Sequence, residues 1–288
     1  MKYSKLVYWR VTMFHSMNTI VITVVLLTAL VSMLMLKQSV HRILVDSVQT
    51  LLGNKKMLLH FIAMLLILVL NKLEQTIAKE MTPGDFTPIV HLWEGNIVYF
   101  IQRFFMNDYL TAVLTFFYII VFPVLLVSSI VIYIKSRDFK SYYAFVYALM
   151  LNYLIAVPFY LFFPVFEVWY YDPNVTFLIP EIYPNFELEY RPLSGIDNNF
   201  PSLHTSISLT IALIAMRSRK IEFGRLSLFS SAIIVFSTMY LGIHWLADLT
   251  AGILLAIIAS QTGIRLAEHT LGERVYEDNN MFKYKKGV

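Results

Sequence analysis

Two histidines and one aspartate stand where they can do chemistry together. His204 closes the stretch Phe200-Pro201-Ser202-Leu203-His204, and His244 opens the spacing His244-Trp245-Leu246-Ala247-Asp248. A neutral imidazole is a good nucleophile toward phosphorus, and its phospho-adduct is reactive enough to be passed on. His244 and Asp248 share one face of a helix, so the carboxylate can hold the ring in the right tautomer. A second imidazole, His204, can protonate the leaving oxygen as general acid. Pro201-Ser202 reads as a helix start, where a hydroxyl and backbone N–H groups can hold an anion. Arg191 can clamp two phosphoryl oxygens at once. The chemistry this set suggests is phosphoryl transfer, with His244 as nucleophile, Asp248 as its orienter, His204 as acid, and Arg191 and Ser202 on the phosphate.

The elements that must position these groups are membrane spans. The chain has 288 residues, 58% of them hydrophobic and only 15% charged, and the apolar ones come in blocks. A soluble domain of this size could not hide so much apolar surface, so we expect an all-α, polytopic membrane bundle. Cysteine is absent, which excludes disulfides and thiolate chemistry. The net charge of +4 is spread as short basic clusters between apolar runs, not as a nucleic-acid-binding face. No cofactor box is visible, and no carboxylate cluster of the kind magnesium needs, so the expected chemistry uses neither cofactor nor metal.

Taken in order, residues 1–16 read as an amphipathic lead-in helix. Apolar runs follow at 17–36, 57–71, 109–134, 143–164, 202–216, 226–243 and 245–267. Thr82-Pro83-Gly84-Asp85 is a turn signal. The stretch 93–105 alternates polar and aromatic residues and reads as a helix lying in the membrane interface, or partly re-entrant. Pro123 predicts a kink. Residues 165–200 form a long acidic segment whose aromatic content argues for order. Basic clusters at Lys135–Lys140, Arg217–Arg225 and the C-terminal tail place those connections in the cytoplasm and both histidine motifs on the opposite side. Six or seven spans are expected. Counting all seven puts the basic N-terminus outside, against the same rule. The expected division is 1–107, N-terminal and interfacial helices; 108–267, catalytic membrane core; and 268–288, a basic cytoplasmic tail.

The histidine motifs resemble the type 2 phosphatidic acid phosphatase superfamily, whose three motifs are Lys-x6-Arg-Pro, Pro-Ser-Gly-His and Ser-Arg-x5-His-x3-Asp. Here they stand as Arg191-Pro192, with Pro184 in the lysine's place, Pro201-Ser202-Leu203-His204, and Ser237-Thr238 followed by His244 and Asp248. The resemblance covers roughly the last half of the chain. It implies that family's helical core and adds Ser237 as a phosphate ligand. Leucine for glycine and threonine for arginine look like the inositol phosphorylceramide synthase branch, which moves phosphorylated head groups between lipids. Two of the family's cations are thus missing, leaving Arg191 and helix-end amides, with Arg103 as a base that could swing in.

The resemblance implies a phosphotransferase acting on a membrane lipid, a phospholipid or polyprenyl phosphate, through a phosphohistidine, with a polyol or lipid alcohol as acceptor. The alternatives are hydrolysis of phosphatidate or polyprenyl (pyro)phosphate, and a transporter or scaffold whose histidines only line a cavity. His15, His41, His60, His91 and His269 read as helix-packing residues. Asp197, Asn198 and Asn199 read as a turn before they read as a polyol site.

Overall fold

The structure, a computed structural model, describes residues 12–78 and 84–285. Residues 1–11 of the expected lead-in helix and Thr82 and Pro83 of the expected turn lie outside that range, and residues 12–16 are not helical. The described chain is helical, with a single isolated bridge between Val165 and Asn198. The helices are α1 (Met17–Leu36), α2 (Val40–Leu52), α3 (Lys55–Ala78), α4 (Thr87–Glu94), α5 (Ile97–Phe105), α6 (Asp108–Lys135), α7 (Phe139–Phe162), α8 (Leu203–Ala215), α9 (Ile221–Tyr240) and α10 (Leu246–Lys285).

Six of them, α1, α3, α6, α7, α9 and α10, are long and apolar enough to cross a membrane. α8 is apolar but has 13 residues, about 20 Å of helix, where a crossing takes roughly 30 Å. His204 lies in the first turn of α8.

The seven run between two ends. At one end the start of α1 meets the acidic segment: Met13 and Phe14 donate backbone N–H bonds to Ile182 O, and Asn185 Nδ2 donates to His15 O at 2.9 Å. At the other, Lys220 Nζ reaches Met35 O at 3.1 Å and Lys135 pairs with Asp46. The N-terminal stretch therefore sits at the end that carries both histidines. α2 is amphipathic and lies at the far end between α1 and α3.

Local chemistry explains the departures from the expected elements. Gly95 adopts φ 58°, which ends α4, so the single interfacial helix expected over 93–105 is two helices, α4 and α5. The kink expected at Pro123 takes the form of a π turn over Phe117–Val121 within α6. Proline lacks an N–H and its ring collides with the carbonyl four residues back, so the preceding turn widens. α10 runs unbroken through the boundary expected at 267/268.

α7 packs against α10 and α3, and α8 is enclosed by α9, α10 and α7. A core around Tyr133, Tyr142, Tyr143 and Phe145 occupies the far half, and a second around Tyr118, Tyr183, Phe186 and Tyr240 the near half. Residues 163–202 fold over the near end as four one-turn helices, Val168–Tyr171, Ile179–Ile182, Phe186–Glu189 and Arg191–Ser194, tied together by aromatic contacts.

Candidate active site

The turn between α9 and α10 carries His244. Ile243 and His244 both donate their backbone N–H to Thr238 O, at 3.1 and 3.0 Å. Gly242 makes this turn possible: it has φ +84°, and a Cβ there would lie 2.6 Å from Thr176 O. The acidic segment clamps the turn from outside. Val168 N donates to Ile243 O, Trp169 N to Gly242 O, and Asn199 Nδ2 to Ile243 O at 2.8 Å. Gln102 of α5 donates to Thr176 O and Tyr240 O and accepts from Thr176 N. Glu94 of α4 accepts from the first free amides of α10, Leu246 N and Ala247 N, capping that helix from another element.

Asp248 is fully buried in the first turn of α10. Its Oδ2 accepts from Trp245 N at 2.9 Å and from His244 Nδ1 at 3.2 Å. One carboxylate oxygen thus caps the helix and orients the ring, and Nε2 of His244 is left as the nucleophilic nitrogen. Burial pushes the His244 imidazole down to about 3, partly offset by the backbone of Asn199, so the ring is neutral at ordinary pH.

His204 stands across from it. Its ring stacks on Tyr118 at a centroid distance of 4.1 Å and leans on Phe122 at 4.5 Å, both aromatics presented by the π turn and the residue after it. His204 Nε2 is buried and has no hydrogen-bond partner among the described residues. Both imidazoles line one cavity of about 220 Å³, shared with Tyr118, Tyr153, Tyr160, Glu167, Tyr190, Ser194, Asn198 and Asn199, over an apolar floor that includes Phe122, Leu203 and Ile207. A water fills roughly 30 Å³ of liquid, so the space suits a phosphate head group. The hydroxyls of Tyr118, Tyr153 and Tyr190 have no protein partner among the described residues.

The three residues expected on the phosphate are placed otherwise. Ser202 is buried, with its hydroxyl accepting from Thr205 N at 3.4 Å as the α8 N-cap and its N–H donating to Asp248 O. Ser237 Oγ bonds back to Ile234 O at 2.7 Å. Neither lines the cavity. Arg191 does not line the cavity either: Nη1 donates to Glu167 Oε1 at 2.6 Å and to Gly195 O at 2.8 Å, while Nε and Nη2 hold Glu187. Arg103 donates to Tyr99 on its own helix and is not at the cavity. No lysine or arginine lines the cavity among the described residues.

The sequence reading missed Glu167, the four cavity tyrosines and Ser194. Nothing in their spacing marks them. Only the proximity of Tyr118 and Phe122 to Pro123 hinted at irregular, re-aimed side chains. Asn198, read mainly as a turn residue, lines the cavity as well.

A family model described as the PAP2 superfamily matches residues 92–262, more than half of the chain. Among curated proteins, the putative undecaprenyl-diphosphatase YbjG of Escherichia coli (strain K12) is 28% identical over 81 residues, covering 28% of this chain and 40% of that protein. The alignment therefore spans well under half of the relative's length. No solved structure matches.

Proposed function

The chain belongs to the type 2 phosphatidic acid phosphatase (PAP2) superfamily, and from that premise we propose that it is a membrane lipid phosphatase that cleaves a phosphoester or phosphoanhydride bond through a phosphohistidine. The observation that carries this reading is that two imidazoles from separate helices line one cavity, one of them bonded to a buried aspartate. His244 Nε2 attacks phosphorus, forming an N–P bond as the P–O bond to the leaving group breaks. His204, protonated by a proton that enters with the substrate's phosphate anion, gives that oxygen its proton. His204, now neutral, takes a proton from an incoming water whose oxygen displaces His244, and inorganic phosphate leaves. Asp248 holds Nδ1–H throughout and stabilises charge on the ring. The relative's name, a diphosphatase of undecaprenyl chains, favours hydrolysis and a polyprenyl or similarly apolar lipid substrate.

A second reading keeps the same first half and replaces water by an alcohol, as in inositol phosphorylceramide synthase-like transfer. The partnerless tyrosine hydroxyls and the amide of Asn198 support it, because they suit a polyhydroxylated acceptor. We infer further that the site opens on the extracytoplasmic side with the C-terminus in the cytoplasm, since basic residues cluster at the other end.

Product analysis separates these readings. Purified protein is given a polyprenyl diphosphate or phosphatidate, with and without free inositol. Hydrolysis is expected: phosphate release at the same rate either way, abolished in His244→Gln and reduced roughly 10³–10⁴-fold in Asp248→Asn. A phosphorylated inositol as main product would replace the first reading by the second. Unchanged turnover in His244→Gln would overturn both.

A further inference from the structure

Glu167 is 4% exposed and lines the histidine cavity, and the displacement described above does not use it. A buried carboxylate is costly unless paired on both oxygens, and here both are. Arg191 Nη1 donates to Oε1 at 2.6 Å, and Trp169 Nε1 donates to Oε2. Glu167 lines the cavity, and neither Arg191 nor Trp169, the donors to its two oxygens, does. The guanidinium is held from behind as well. Glu187 takes Nε and Nη2, Gly195 O takes Nη1, and the rings of Phe177 and Phe186 lie 5.1 Å from its carbon. Arg191 would thus keep its place if Glu167 left.

We propose that Glu167 is an internal occupant of the seat the substrate phosphate takes, and that Arg191 Nη1 and Trp169 Nε1 are the donors of that seat. The proposal rests on the catalytic reading of the cavity. Two fixed donors meeting two oxygens of one anion is the geometry in which a phosphoryl group is held. As it stands, the cavity faces an incoming phosphate with a carboxylate and no cation, which repels it. Exchanging the carboxylate for phosphate removes one negative charge and uncovers a positive one. Burial pushes the Glu167 carboxyl up to about 7 against the pull of Arg191, so it can leave as a neutral acid. The cavity wall then offers it the Tyr190 and Ser194 hydroxyls and the Asn198 amide. Trp169 is a phosphate donor that the three family motifs do not include.

Sulfate, a tetrahedral dianion that does not titrate near neutrality, is the probe, with its affinity for the full-length purified protein measured by calorimetry. Glu167→Gln keeps the shape and removes the charge, and its sulfate affinity is expected to rise about tenfold. Glu187→Gln is expected to leave it within a factor of about two, because that half-exposed carboxylate holds the same guanidinium from outside the cavity. Trp169→Phe in the Glu167→Gln background is expected to return most of the gain. Should Glu167→Gln fail to fold, Glu167→Asp, one methylene shorter, reads the same quantity. Equal or weaker sulfate binding in the folded Glu167 variant overturns the proposal. Parental lipid turnover without that gain removes the seat and leaves the enzyme; the gain without turnover removes the enzyme reading alone.

Discussion

His244 owes its proposed chemistry to its surroundings more than to its own type. Removal from water keeps the ring neutral, and one oxygen of Asp248 aims it while capping α10. The same burial has a thermodynamic consequence. In the unfolded chain the imidazole titrates at 6.5, and in the folded protein at about 3. Between these values the unfolded state binds a proton that the folded state refuses, so stability present above pH 6.5 is lost as the pH falls. At pH 5 this is about 2 kcal/mol. We expect the parent to lose on the order of 5 °C more in melting temperature than His244→Gln between pH 7.5 and pH 5. Equal acid sensitivity in parent and variant would show that the ring is not buried as described.

At the scale of elements, the site depends on how closely α8 and α10 approach. Gly252 permits it: a Cβ there would lie 2.8 Å from Ser202 O and about as close to the Thr205 side chain. Ser202 N–H in turn bonds to Asp248 O. The starts of the two helices, one with His204 and the other with Asp248, are therefore locked in register. Gly252→Ala must push them apart by a few tenths of an ångström or more, against backbone that cannot yield cheaply. We expect kcat to fall ten- to a hundred-fold with KM little changed, since misplacement of this order is costly to reacting groups. A variant with parental kcat would mean that the helix contact does not set the spacing of the histidines. The π turn in α6 belongs to this scale as well, because Pro123 widens the turn that presents Tyr118 to His204.

For the whole molecule, the distribution of charge is the main asymmetry. The end opposite the cavity carries Lys37, Lys55, Lys56, Lys135, Arg137, Lys140, Arg217, Arg219 and Lys220. The cavity end is closed by a segment with Glu167, Asp172, Glu181, Glu187, Glu189 and Asp197. The proposed topology, with the cavity facing outward, rests on this asymmetry through the positive-inside rule. The chain has no native cysteine, so single substitutions can test this directly. In intact cells, Leu188→Cys should react with a membrane-impermeant maleimide and Arg219→Cys only after permeabilisation. The reverse pattern would invert the proposed topology.

Hydrophobic blocks of spanning length were enough to read the class and the approximate helices α1, α6, α7, α9 and α10. Periodicity alone paired His244 with Asp248, because residues four apart on a helix meet whatever the rest of the chain does. Tertiary structure decided the rest. It alone brings His204 and His244 to one cavity, with the starts of α8 and α10 in close approach at Gly252. It turns Ser202 and Ser237 to the local helix bonds that short hydroxyl side chains readily make. It also covers Arg191 with Glu167, a residue 24 positions away whose part in the site no spacing could announce, because the burial that pairs them exists only once the acidic segment has folded over the bundle.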